Sequence, residues 1–150
     1  MQGERVNSNG RAAHCGQALE LLRQTRSKVW PGSREELDYV IYKTENFITV
    51  FQLLGAVQEA RVAFDRALLA RTAGEAAEAG RQLEQCRTAL ERANRLVRRA
   101  AEQMIPYARI PTERHILWIL NKAIPSHEAA RAYLADVIAL HNEHNKGKKS

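Results

Sequence analysis

Between residues 33 and 105 the chain has no proline, and glycine occurs there only as Gly55, Gly74 and Gly80. A stretch that long without helix breakers reads as two long helices folded back on each other. Alternating strand patterns, a glycine-rich phosphate loop and a cysteine–histidine cage are all missing. Most enzyme architectures therefore have no footing here, and the expectation is a supporting or interaction module rather than an enzyme. Aromatic residues are few and sit in apolar contexts, which argues against a base-stacking platform. The two cysteines, Cys15 and Cys86, show no ligand spacing and are no disulfide framework, so they leave the compartment open. Cys86 falls at a core position. No apolar run reads as a membrane span and nothing resembles a signal peptide, so no membrane partner is expected.

What is present is helix-forming. With 150 residues, of which 45% are hydrophobic, the chain can bury a core without disulfides or metals. The net charge is +6, but Lys146, Lys148 and Lys149 supply part of it at the extreme end. Most arginines alternate with glutamates, which reads as solvated helix faces, so a nucleic-acid partner is not expected.

Residues 1–10 read as a polar, disordered leader, 11–145 as one helical domain and 146–150 as a basic tail. A first helix is expected over Arg11–Val29, striped by Ala18, Leu19, Leu22 and Val29, with Trp30 placed to seal the bundle before Pro31 and Gly32. Ser33 and Glu36 have capping-box spacing and open a second helix running to about Ala70, roughly 55 Å long. Residues Arg71–Gly74 form the reversal, and Thr72 with Glu75 offers a second capping box. So short a link implies antiparallel neighbours. The third helix repeats Ala79, Leu83, Cys86, Leu90, Ala93, Val97, Ala100 and Met104 in four–three steps, an apolar seam of coiled-coil type. Pro106 and Pro111 bracket a linker. A short helix over Thr112–Ala123 is expected to break at Pro125, with a last helix capped by Ser126. The predicted fold is all-α: an antiparallel up-and-down bundle of four to five helices with two long central ones.

The segment Phe47–Val57 is apolar nearly all round, so it is either the covered central helix or a face for a partner. Phe47, Phe51 and Leu54 are the candidate interface residues. Tyr42, Glu45 and Asn46 are polar groups in apolar surroundings, read as pins that fix the register of the bundle. Trp118, within Ile116–Leu120, is expected to be buried. No Glu-x-x-His pair exists for a dinuclear metal site, and His141 with His144 reads as a surface pair. No cofactor is expected.

Two stretches carry a resemblance. Leu37–Phe47, and Ile116–Leu120 with Asn121 after it and Glu113 and Arg114 before it, resemble the helical accessory region at the C-terminal end of large bacterial glycoside hydrolases. The resemblance implies a non-catalytic scaffold excised from a larger carbohydrate-active enzyme. It would act as a structural or oligomerisation domain, its partner being the neighbouring catalytic domain or a second copy in a homodimer. Asn121 joins the candidate pins on this ground. Arg109 and His115, five residues between them, resemble the arginine–histidine element of the HEPN ribonucleases. That implies an alternative: a stand-alone RNA-cleaving or RNA-binding protein in which Arg109 holds a phosphate and His115 moves a proton.

Overall fold

A computed structural model describes residues 8–147, with no strand among them. The protein is an all-α helical bundle. Its helices are α1 (Ser8–Arg26), α2 (Arg34–Thr72), α3 (Ala76–Met104) and α4 (Pro111–Gly147), with 3-10 turns at Pro31–Ser33 and Ile105–Tyr107. The leader expected over residues 1–10 lies outside the described residues up to residue 7, and Ser8–Gly10 already belong to α1. At the other end α4 takes in Lys146 and Gly147.

The reversal between α2 and α3 falls where expected, but its chemistry differs. Thr72 caps no helix start, because it is the last residue of α2 and donates its hydroxyl to the Leu69 carbonyl. The turn is instead closed from the α2 side. Glu75 N–H reaches the Ala70 carbonyl and Gly74 N–H the Arg71 carbonyl, the paired bonds of a Schellman ending. Gly74 sits at φ +78°, a backbone state that a side chain would strain. Ser33 likewise lies inside a 3-10 turn rather than standing as an extended cap.

Pro125 does not break the chain into two helices; α4 runs through it. Proline removes one N–H and frees the carbonyl four residues earlier, here that of Asn121. Asn121 and Lys122 are exposed, so water can take up that carbonyl. Leu120 and Leu134 on either side are buried, which holds both halves in helix.

The chain divides into two compact units: residues up to Gly55 with Leu96–Asn121, and Ala56–Arg95 with Lys122 onward. The first holds α1, the N-terminal half of α2, the end of α3 and the start of α4. Its core includes Leu19, Tyr42, Leu53, Val97, Ala100, Met104 and Leu120. Asn46 is buried and donates to the Ala100 carbonyl, tying α2 to α3. The second unit packs Ala60, Ala63 and Ala67 of α2 against Leu83, Cys86 and Ala89 of α3, with Leu134 of α4 in the same cluster. Such small side chains let helices approach closely, and Phe64, Leu90, Val137 and Ile138 supply the bulk around them.

The α3 seam is buried at Ala79, Leu83, Cys86, Ala93, Val97, Ala100 and Met104, and half-buried at Leu90. Gln82, Ala89, Asn94 and Ala101 are buried beside it. The stripe is therefore wider than a two-helix seam, as a helix with neighbours on two sides requires. Pro31–Thr72 is long and apolar enough to cross a membrane by length and composition, contrary to the sequence expectation. A core helix of a bundle meets the same test, and α2 packs against arginine-rich α3 within each unit.

Candidate functional site

The densest polar chemistry gathers in the first unit around Glu113. This residue stands in the first turn of α4, just after Pro111, where the exposed amides of a helix start favour an acid. Its side chain is 1% exposed. Glu113 Oε1 accepts from the Tyr39 hydroxyl at 2.7 Å and from Lys43 Nζ at 2.7 Å. Tyr39 and Lys43 lie four residues apart and so share one face of α2. Lys43 Nζ also rides over the Tyr39 and Phe47 rings, at 5.7 and 5.9 Å from their centroids.

Lys43 and then Tyr39 hold the Glu113 carboxyl below its usual range, while Glu113 in turn raises Lys43 and Tyr39. A carboxylate kept ionised in this way is a fixed anion rather than a proton donor near neutral pH. Three buried atoms beside this lock have no hydrogen-bond partner: Glu113 Oε2, the Tyr42 hydroxyl and Gln103 Oε1. The Tyr42 ring stacks on Tyr107 at 3.9 Å between centroids, and burial pushes its phenol pKa up. Tyr42, Tyr107 and Gln103 line a groove of about 270 Å³ with Asp38, Ile41 and Glu45. Both acids of that groove are engaged by α1, Asp38 by Arg26 and Glu45 by Arg23.

The expected pins divide. Tyr42 and Asn46 are buried, and Glu45 is half-buried in its pair with Arg23, so it fastens α1 rather than the bundle interior. Asn121 is exposed and pins nothing. Glu113, Lys43, Tyr39 and Tyr107 form the actual centre, which sequence reasoning did not single out as such. Its one local signal was an acid in a first helical turn after a proline.

The apolar expectations divide too. Phe47 and Leu54 are 53% and 54% exposed, and Phe51 is half-buried. Val40, one heptad before Phe47, is also exposed. The all-round apolar segment is therefore not covered on every side. Trp118 is 57% exposed, against the expectation of burial. Five successive apolar residues on a helix turn through more than a full circle, so they cannot all face one core. Trp30 seals nothing: it is 75% exposed, its ring lying over Gly32 where any Cβ would clash.

No hydrogen bond or ring contact joins Arg109 to His115; the His115 ring stacks on Trp118 instead. His141 is buried against Gly80 and meets Asn145 at 3.0 Å. Cys15 and Cys86 are free thiols. Among the described residues no cluster of three His, Cys, Asp or Glu side chains could hold a metal ion. No protein-family model, no curated protein and no solved structure matches this chain.

Proposed function

We propose that this chain is a non-catalytic helical interaction domain that docks a neighbouring domain along the α2 stripe Val40, Phe47 and Leu54. The stripe itself carries the reading. Three large apolar side chains stand open at heptad spacing on one helix face, with half-buried Phe51 beside them. Beneath that face the Glu113 lock joins α2 to α4 and keeps the stripe on a rigid support. The lock does the work of a brace: its carboxylate is held ionised and engaged by two donors.

The neighbour we infer is the catalytic domain of a larger carbohydrate-active enzyme, as the resemblance implies. Supporting this, the two stretches that carry the resemblance meet in the first unit, where Tyr39 and Lys43 contact Glu113. An antibody raised to this chain, used on source cells, tests the parentage. A species far larger than 17.0 kDa is expected, and a band at that mass removes the enzyme parent. The docking surface is tested with Phe47→Asp combined with Leu54→Asp. Both sites are exposed, so the helical signal should stay while association with the neighbour is lost. Phe51 is less suited, because its half-burial would mix folding with docking.

A further inference from the structure

We infer that the α2/α3 groove of the second unit is a two-fold interface with a second copy of this chain. The groove measures about 510 Å³, and its lining includes Glu59, Val62, Ala63 and Arg66 of α2 with Gln82 and Ala89 of α3. It is a different surface from the Phe47 stripe, which lies in the first unit.

The first unit shows what such a face is for. There α1 is fastened to α2 through Arg26 with Asp38 and Arg23 with Glu45. Positions 38, 41, 42, 45 of α2 and 103 of α3 line that side. Three heptads on, 38, 41, 42 and 45 become 59, 62, 63 and 66; three heptads back along antiparallel α3, 103 becomes 82. Those are residues of the second-unit groove. By register, then, the face that takes a helix in the first unit recurs in the second, where α1 does not extend. Among the described residues no helix occupies it. One lining side chain is also left incomplete: Gln82 is buried, its amide nitrogen donates to Glu78, and its Oε1 has no donor.

Charge placement selects a second copy as the occupant. Glu59 lies three residues before Val62 and Arg66 four residues after it. An antiparallel pair of α2 segments with a two-fold axis between Val62 and Ala63 sets Glu59 of each copy opposite Arg66 of the other, around an apolar centre of those two residues. Such an isologous contact satisfies both charges twice with one surface. Arg66 takes part in none of the salt bridges among the described residues; behind the hydrogen bonds of Gln82 and Arg81, it helps to lower the Glu78 pKa without a direct pair. Glu59 is held only by Arg92 in a pair exposed on both sides, which a new partner can share.

Charge reversal on the intact chain, read by sedimentation equilibrium, tests this. The unmodified protein should dimerise. Glu59→Arg sets Arg against Arg across the axis and Arg66→Glu sets Glu against Glu. Each alone should weaken the dimer by about tenfold or more. Mixing the two variants should restore it as a heterodimer, since one copy then carries two positives and the other two negatives. Arg131→Ala is the control, removing a positive charge from α4 outside the groove lining; it should leave dimerisation near that of the unmodified chain. Circular dichroism checks that each variant is folded. A monomer at all concentrations up to about 0.5 mM overturns the inference, as does a dimer indifferent to both reversals. A dimer lost with Phe47→Asp but kept in both reversals places self-association on the other stripe, and also overturns it. Failure of the neighbouring-domain reading leaves these readouts untouched.

Discussion

The two units are built from the same three long helices but are held in different ways. In the first, aromatic rings and a buried charge lock do the joining: Tyr42 on Tyr107, and Tyr39 with Lys43 on Glu113. In the second, alanines close the distance, and Phe64 of α2 with aliphatic side chains of α3 and α4 fills what remains. The first gains directional bonds that fix register, and it carries three of the four buried polar atoms whose bonding is incomplete among the described residues, Gln82 of the second unit holding the fourth. The second depends on steric fit, which resists any added volume. The difference teaches that one helix can change its mode of cohesion midway, from polar pins to small-residue packing.

The largest effect should come from breaking the lock. Glu113→Ala strips the acceptor from Tyr39 and Lys43 and leaves a cavity in the first unit. Lys43 can reach water, so the loss falls below that of a fully buried pair, at about 2–3 kcal/mol in urea unfolding. Hydrogen exchange should show early opening at Tyr39–Asn46 and not at Ala60–Ala67; equal loosening of both would erase the contrast. The converse for the second unit is Ala93→Leu. Ala93 has no exposed surface, and overfilling it should cost about 2 kcal/mol, with exchange rising near Ala60 instead.

Acid should separate the units as well. The folded Glu113 carboxyl is depressed, so its contribution is complete above its ordinary 4.5 and is lost as pH falls through the lower folded value. Lys43 is raised, so its share is complete below 10.5 and is lost as pH rises through the higher folded value. His127, in the second unit, also loses stability toward acid, but in a higher pH range. Burial lowers its folded pKa, so the unfolded chain binds more protons below about 6.5 and stability declines as pH falls through that range. Urea titrations between pH 7 and 5 should show a decline that His127→Gln removes and Glu113→Gln does not.

Much of this contrast was legible in the sequence, and the failures share a cause. The α3 seam was readable because charged residues occupy its other faces, so the apolar period stands out. The α2–α3 reversal was readable because Gly74 is required there. What failed was the inference from the apolar run Ile116–Leu120 to burial of Trp118, while the Phe47 run stays open in sequence between a covered helix and a partner face. Trp118 and Phe47 belong to runs that wrap their helix, and periodicity is silent on which side a neighbour takes. Pro125 failed because its cost is set by solvent at the Asn121 carbonyl, a tertiary property. The Glu113 lock was invisible since its members lie about seventy residues apart. Asn46 was found because a polar residue within an apolar stretch must bond somewhere, an argument that needs no long-range knowledge; Tyr42 is buried as expected, but it joins by stacking on Tyr107 and its hydroxyl bonds nothing.

The smallest predicted effect is also the most pointed. The Tyr42 hydroxyl is buried without a partner, so it has lost its hydration and gained no bond in return. Tyr42→Phe keeps the ring and its stacking on Tyr107 while removing only that oxygen. The substitution should be neutral or should stabilise the protein by up to about 1 kcal/mol, the reverse of its neighbour Glu113→Ala. Urea unfolding of Tyr42→Phe against the unmodified chain decides it. A loss above about 1 kcal/mol would mean that the hydroxyl bonds within the folded protein, through water or a bound molecule in the 270 Å³ groove beside it. The first unit would then be a polar network completed by solvent or ligand, and its contrast with the alanine-packed unit would grow sharper.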